Sequence, residues 1–323
     1  MTNPRRVLVT GATGQIGSEL VTELRNKYGK DEVMAVGHNR QPSETLRNSG
    51  PFEAVDTSDK GQLAKLIEGR NVGIVYHLAS LLSAVGEKNP QLAWHVNMEG
   101  LYNVLDLARE RGLQVFWPSS IAVFGPDTPR INTPQNTITV PNTIYGVSKV
   151  AGELLCNYYF SKFGVDVRSL RYPGIISSET PPSAGTTDYA VAIFYEAIKK
   201  KRYVCFLRDD TVLPMMYMPD CIKATLNLMS VDQTRVKCRT SYNLAAMSFA
   251  PKELAAMITQ HVPEFKCEYV PDFRQKIADS WPMSIDDSEA RKDWGWQPTY
   301  DLSAMTEDMI KKLSQKFEAG LLS

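Results

Sequence analysis

The segment GATGQIG at residues 11–17 constrains the fold of this chain more than any other feature. It follows the short β-branched run RVLVT and passes directly into QIGSELVTELRNKYG, whose apolar residues keep helical spacing. Glycines at three-residue intervals let backbone amides approach a pyrophosphate beside the positive end of a helix. An ordinary strand-to-helix turn is the alternative, but a place between the first strand and first helix favours dinucleotide binding. The expected contact residues are Gly11, Thr13, Gly14, Gln15, Ile16 and Gly17.

Buried-strand patterns alternate with helical patterns along the first half of the chain. This alternation predicts an α/β fold with a doubly wound parallel sheet and right-handed crossovers, of Rossmann type. Two long helices are predicted at 93–112 and 144–163. The predicted strands are 6–10, 32–37, 52–56, 72–79, 113–120 and 165–174.

The pattern becomes less regular after residue 175, with proline-rich loops, short strand candidates and a closing helix at 301–319. We expect residues 1–175 to form the cofactor-binding domain, with a segment near 213–245 returning to it. Residues 176–323 are expected to form mainly a smaller α/β substrate-binding cap.

Charge and cysteine usage exclude several classes of function. Thirty-six basic and thirty-six acidic residues cancel without forming blocks, so neither nucleic acid nor an anionic membrane is an expected partner. The apolar stretches are shorter than the ~20 residues of a bilayer span. Five cysteines without paired spacing favour reduced thiols and no metal site. A small-molecule substrate is expected, with the cytoplasm as the default compartment and the mitochondrial matrix as an alternative.

Two further segments bear on the cofactor. Asp56 and Thr57 follow the third predicted strand, where the carboxylate could bind an adenine amino group or cap a helix. The second strand ends in VGHNR, without the acid that usually binds the ribose hydroxyls. Among His38, Asn39 and Arg40, the arginine suits a 2′-phosphate and the asparagine suits the ribose of NAD, and both alternatives stay open here.

Tyr145 and Lys149 lie four residues apart in TIYGVSK, on one face of the second long helix. A phenol is a poor base until a neighbouring cation stabilises its anion, and Lys149 can supply that charge. Ser120 ends a strand at the sheet edge where ligands bind. A tyrosine and a lysine at this spacing are common by chance. Their conjunction with the glycine turn and PSS predicts hydride transfer at an alcohol carbon.

These motifs resemble the extended short-chain dehydrogenase/reductase family: TGxxGxxG, HLAS, VNxxG, PSS and YxxxK. The resemblance implies Tyr145 as general base, Lys149 as the partner that lowers its pKa and binds ribose, and Ser120 as the holder of the reacting oxygen. It further implies cofactor contacts from Leu78, Ala79, Ser80, Asn97, Tyr172, Pro173 and Ile175.

Longer segments resemble the threonine-oxidising branch of that family: LRYPGIIS, AGTTDYAV, LPMMYMPD, PDFRQKIADSWP and DWGW. This resemblance implies that NAD oxidises the C3 hydroxyl of L-threonine to 2-amino-3-oxobutyrate, in threonine catabolism. The implied substrate-binding residues are Ser83, Ser119, Ser120, Tyr145, Gly174, Thr186, Thr187 and Trp281. Turn, cap and core roles are the alternatives for these hydroxyls and for the tryptophan.

Three rival functions would share some of these motifs. A sugar-nucleotide epimerase or reductase would share the cofactor half, but Pro173 and Gly174 stand where such epimerases carry an asparagine. A dinucleotide-binding scaffold without catalysis would not need Ser120, Tyr145 and Lys149. A zinc-dependent dehydrogenase would need ligand spacing that is absent. A homodimer is expected through the 93–112 and 144–163 helices, with Leu101, Leu105, Leu154, Leu155 and Tyr158 at the interface.

Overall fold

The computed structural model describes residues 6–183 and 185–322. The chain divides into two compact units, and both draw on separated segments. Unit 1 comprises residues 1–123, 143–171 and 222–242, and unit 2 comprises 124–142, 172–221 and 243–323. Residues 124–142 and 172–175, which the sequence division assigned to the cofactor domain, therefore group with unit 2.

Unit 1 is built on a seven-stranded sheet with the order β10-β6-β5-β4-β1-β2-β3. β1 pairs in parallel with β2 and β4, β2 with β3, and β4 with β5. The predicted α/β, doubly wound sheet is confirmed, with β10 added outside the expected sixth strand. Its strands are β1 (Arg6–Thr10), β2 (Val33–Gly37), β3 (Phe52–Ala54), β4 (Val72–His77), β5 (Gln114–Ser120), β6 (Val167–Tyr172) and β10 (Tyr242–Asn243).

Helices cover the sheet of unit 1 because their apolar stripes match the fully buried strands. One hydrophobic cluster joins Leu8 and Val75 of the sheet to Leu105 and Tyr159 on the helices. The first helices along the chain are α1 (Gln15–Tyr28), α2 (Glu44–Asn48), α3 (Lys60–Gly69), α4 (Ser83–Gly86), α5 (Pro90–Trp94), α6 (Gly100–Arg111) and α7 (Ile144–Phe163).

One departure from the predicted helices lies near the candidate site. The predicted 93–112 helix is interrupted by a π-helical turn, His95–Glu99, between α5 and α6. Such turns occur frequently at functional sites.

Leu101 and Leu105, expected at a subunit interface, are completely buried in the core of unit 1. That part of the interface prediction is wrong, because these leucines lie on the face of α6 that covers the sheet.

Unit 2 contains two small sheets and the remaining helices. One sheet has the order β11-β9-β7, and the other pairs β12 with β8. The strands are β7 (Gly174–Ile176), β8 (Arg202–Cys205), β9 (Leu213–Tyr217), β11 (Met247–Phe249) and β12 (Lys266–Tyr269). The helices are α8 (Tyr189–Lys200), α9 (Met218–Ser230, which continues into unit 1), α10 (Pro251–His261), α11 (Arg274–Asp279), α12 (Ser288–Trp294) and α13 (Leu302–Glu318).

Candidate functional site

The glycine turn has no space for side chains at its two ends. Gly11 has φ +67°, and a Cβ there would lie 2.7 Å from the backbone of Leu78 and Ala79. A Cβ on Gly17 would lie 2.2 Å from the carbonyl oxygen of Gly11. α1 begins immediately after Gly14, and its N-cap carries no side chain to occupy the first amides. This backbone-lined cradle at a helix N-terminus fits a dinucleotide pyrophosphate.

The carboxyl end of β4 is attached to this turn through Thr10. The Thr10 hydroxyl lies 2.8 Å from Nδ1 of His77, and the Thr10 carbonyl accepts a hydrogen bond from Leu78 N at 3.2 Å. Complete burial lowers the pKa of His77 to about 3, so its imidazole is neutral at physiological pH. Leu78 and Ala79 thus lie beside the glycine turn, where a bound dinucleotide is expected to pass.

Asp56 does not cap a helix. The N-cap of α3 is Asp59, which accepts from Gln62 N at 3.0 Å. One oxygen of Asp56 accepts from the backbone and hydroxyl of Ser58, at 2.9 and 2.7 Å. Burial opposes ionisation of Asp56, but these bonds and the nearby His38 hold its pKa below the usual range. The helix-cap alternative is therefore wrong, and adenine binding through the second oxygen stays a prediction.

Asn97 lies in the π-helical turn, and its side-chain amide is hydrogen-bonded to four protein groups. Its amide oxygen accepts from Ser80 Oγ (3.1 Å) and Leu81 N (2.7 Å). Its amide nitrogen donates to Leu81 O (3.1 Å) and Ser148 Oγ (3.2 Å). These four bonds satisfy the hydrogen-bonding capacity of the side-chain amide, and the cofactor contact expected of Asn97 stays a prediction. The residue connects the loop after β4 to the helix that carries Tyr145.

Tyr145 lies in the first turn of α7, which Thr143 caps by accepting from Gly146 N at 3.0 Å. Ser120 lies near enough to the Tyr145 hydroxyl to affect the acidity of the phenol. The Ser120 oxygen accepts from Ala122 N at 3.2 Å. Burial raises the pKa of Tyr145 to about 12, and the neighbouring Ser120 hydroxyl opposes that rise. Ser120 and Tyr145 are thus brought together as the YxxxK and PSS motifs predict.

Lys149 follows Tyr145 by one helical turn and is 3% exposed. Its ammonium donates to Pro118 O at 2.6 Å and lies 4.4 Å from the centre of the Trp117 ring. The distance to the centre of the Tyr145 ring is 5.4 Å. Burial lowers the pKa of Lys149 to about 7, although Cys156 and Glu153 nearby act in the opposite direction. A buried cation that titrates near neutrality next to a phenol is typical of a proton-transfer site.

Ser119 points away from Tyr145, because consecutive residues of a strand face opposite sides of a sheet. Its hydroxyl donates to the buried Glu153 carboxylate at 2.6 Å. Arg171 donates to the same carboxylate at 2.8 and 2.7 Å. The Ser119 hydroxyl thus makes its hydrogen bond inside the protein, and the substrate contact expected of this residue stays a prediction. Glu153 is not among the residues predicted from the sequence, although an acid one turn after Lys149 in an apolar stretch is a usable signal.

Several predicted substrate residues lie in unit 2. Thr186 and Trp281 are buried, and Gly174 is packed so closely that a Cβ would lie 2.8 Å from Thr187 and 2.3 Å from Met215 Sδ. Tyr172, Pro173 and Ile175 are buried on either side of Gly174. Ser83, in unit 1, is buried at the start of α4. The substrate and cofactor roles of these residues stay predictions.

Within residues 6–183 and 185–322, no group of three or more His, Cys, Asp or Glu residues could hold a metal ion. Over the same part of the chain, no helix is long and apolar enough to cross a membrane.

Comparisons with known proteins agree with this geometry. Residues 7–245 match the model of the NAD dependent epimerase/dehydratase family. An uncharacterized epimerase/dehydratase of Staphylococcus haemolyticus is 50% identical over 312 residues, 96% of this chain and 98% of the relative.

Two solved structures share the fold along nearly the whole chain. The holo form of a GalE-like L-threonine dehydrogenase from Cupriavidus necator is 51% identical with a TM-score of 0.93, covering 95% of this chain and 99% of that chain. A monomeric L-threonine 3-dehydrogenase of metagenomic origin, in the apo form, is 49% identical with a TM-score of 0.92, covering 96% and 99%.

Proposed function

The chain belongs to the NAD dependent epimerase/dehydratase family, and from this premise we propose that it oxidises the C3 hydroxyl of L-threonine to 2-amino-3-oxobutyrate with NAD. The observation that carries the proposal is the Ser120–Tyr145–Lys149 group at the carboxyl end of β5. β1, which leads into the glycine turn, lies in the same sheet with β4 between them. The carboxyl ends of parallel strands meet at one edge, so the proton-transfer group and the cofactor cradle share that edge.

The residues of the chain carry the proton chemistry. NAD, when bound, accepts the hydride that leaves C3 of threonine. Ser120 holds the substrate oxygen, and Tyr145 takes its proton as the carbon–oxygen double bond forms. The phenolate form of Tyr145, which accepts this proton and becomes a neutral phenol, is stabilised by the Ser120 hydroxyl, the Lys149 ammonium and the N-terminus of α7.

Threonine as the substrate is supported by the two similar solved structures, both of which are L-threonine dehydrogenases. The hydroxyl-bearing residues Ser83, Thr186 and Thr187 suit a small polar substrate. The carboxylate of an amino acid needs donors and its ammonium needs acceptors. We propose that Ser83, Thr186 and Thr187 provide these groups, with Trp281 as an apolar wall. A role in threonine catabolism follows from that reaction.

A homodimer through α5–α7 is part of the proposal. Leu154 is 62% exposed and Tyr158 is 50% exposed, on the side of α7 opposite its buried residues such as Gly152 and Cys156. Leu92, Trp94 and Tyr102 are also exposed on the neighbouring helices. Exposed apolar residues on adjacent helices are typical of an interaction surface. One similar structure is described as monomeric, so sedimentation as a monomer at micromolar concentration would refute this part alone.

The test is to mix the purified chain with NAD and L-threonine and follow the absorbance of the reduced nicotinamide. We expect steady formation of reduced cofactor that requires threonine. A matched reaction with a UDP-sugar in place of threonine addresses the epimerase alternative. Turnover of the UDP-sugar without any signal from threonine would overturn the proposal.

A further inference from the structure

The turn after β2 has an unusual chemical character for an NAD site. The residues there are His38, Asn39 and Arg40, all exposed. NAD-binding sites of this fold usually place a carboxylate at this point to bind the ribose hydroxyls, whereas an arginine accommodates a 2′-phosphate. The sequence from Gly37 to Ser43 contains no acid. We propose that this turn accepts the 2′-phosphate of an adenosine, so that the chain binds NADP as well as NAD.

The position of the turn beside the phosphate cradle is fixed by backbone contacts. Val9 and Thr10 of β1 are paired with Ala35 and Val36 of β2. Just past the strand, Ala12 N donates to Val36 O at 2.9 Å. The chain that leaves β2 therefore starts next to the glycine turn. A dinucleotide whose pyrophosphate lies on that turn brings its adenosine ribose to this edge.

A side chain at position 37 would crowd its neighbours. A Cβ on Gly37 would lie 2.8 Å from Cζ of Phe52 and 2.9 Å from Cγ2 of Thr13. An acid at this position would require both side chains to shift. With glycine there, His38 provides the first side chain after β2.

The Arg40 guanidinium is available to a ligand. It is exposed and joins none of the ion pairs or hydrogen bonds of the residues 6–183 and 185–322. A free guanidinium presents a planar set of donors that binds two phosphate oxygens at once. Asp56, the nearest acid in the neighbouring segment, follows β3, and one of its oxygens already accepts hydrogen bonds from the backbone and hydroxyl of Ser58.

The inference rests on the proposed cofactor site but not on the choice of substrate. Its test is therefore a binding measurement on the full chain without threonine. Isothermal titration calorimetry gives Kd for NAD and NADP, and for AMP and adenosine 2′,5′-bisphosphate as probes of the adenosine end. We expect NADP to bind within roughly tenfold of NAD, and the bisphosphate to bind more tightly than AMP, because a charge-assisted bond is added.

Two variants assign the effect to the turn. Arg40→Ala should weaken NADP and the bisphosphate by roughly 10- to 100-fold while NAD stays within about threefold. His38→Asp should weaken NADP by at least about tenfold and leave NAD unchanged or tighter, because the new carboxylate repels phosphate and can accept from ribose. Arg111→Ala, at an exposed arginine that ends α6, is the matched control and should change neither Kd.

The outcomes separate this inference from the proposed function. Binding of NAD with NADP more than about 100-fold weaker would overturn the inference alone, as would an equal loss of both cofactors in Arg40→Ala. Failure of both cofactors to bind would contradict the inference and the proposed function together. Cofactor binding as expected, but without turnover of threonine, would leave the inference standing and refute the proposed substrate.

Discussion

The ammonium of Lys149 lies 5.4 Å from the centre of the Tyr145 ring, while its hydrogen bond goes to the carbonyl of Pro118. The lysine thus lies beside the phenol, while its hydrogen bond is made to the backbone of β5. In the free protein the pKa of Tyr145 is raised to about 12 by burial, so the tyrosine starts as a neutral phenol. Its conversion to a base needs added positive charge, which a bound oxidised nicotinamide brings.

Lys149 is expected to destabilise the free protein. Its pKa falls from 10.5 to about 7 by burial, which corresponds to a ceiling of about 5 kcal/mol. Lys149→Met removes that cost but also loses the contacts to Pro118 and Trp117, so we predict a net gain of about 1–3 kcal/mol in unfolding free energy.

The pH dependence of this gain is specific. Below pH 7 the lysine is charged in both the folded and unfolded states, and the full cost is present. Between about 7 and 10.5 the unfolded state binds the proton more tightly, so the stability of the wild type rises with pH and the advantage of Lys149→Met shrinks. Urea unfolding at pH 6 and at about pH 9 checks this. An equal gain at both values would show that the lysine is not desolvated.

The pair of Glu153 on α7 and Arg171 on β6 is expected to hold the sheet against α7. Glu153→Gln removes the carboxylate that pairs with the buried Arg171 guanidinium, so the free energy of unfolding should fall by about 3–5 kcal/mol. The matched control is Glu268→Gln, which breaks an exposed pair with Arg202 and should cost about 0–1 kcal/mol. Denaturant unfolding measures both, and similar losses in the two variants would contradict the structural role of the buried pair.

Asn97 is expected to act on cofactor binding through the loop after β4. Asn97→Ala removes four hydrogen bonds and frees Ser80 and Leu81, so we predict roughly 10-fold or more weaker NAD binding. Calorimetric titration with NAD checks this, and thermal unfolding shows whether the variant is folded. A folded variant with unchanged NAD affinity would mean that the loop contributes nothing to the cofactor site.

The strands of unit 1 and the helix of Tyr145 were predictable because they follow from local patterns. Runs such as RVLVT appear as β1, and the second long helix has the predicted bounds, Ile144–Phe163. The family resemblance drawn from the glycine turn, PSS and YxxxK is confirmed by the family match. A motif whose residues lie close together in the sequence can be predicted, because one or two secondary-structure elements fix the positions of all its residues.

The contacts that could not be predicted are those of side chains whose partners are distant in sequence. Ser119 was expected to face substrate, but its partner Glu153 lies 34 residues away on another element. Asn97 was expected to face the cofactor, but it is saturated by groups 16 and 51 residues away. Leu101 lies on an apolar face of its helix, and that pattern alone does not show whether the face packs in the core or at a subunit interface. Spacing along the chain does not reveal which tertiary partner a side chain meets.

The most direct test of the proposed reaction compares the wild type with Tyr145→Phe in the formation of reduced nicotinamide from L-threonine. The variant keeps the ring and removes only the oxygen that takes the proton. The account predicts a rate lower by a factor of about 10²–10⁴, with the Kd for NAD nearly unchanged. A near-normal rate in Tyr145→Phe would contradict the assignment of Tyr145 as the base.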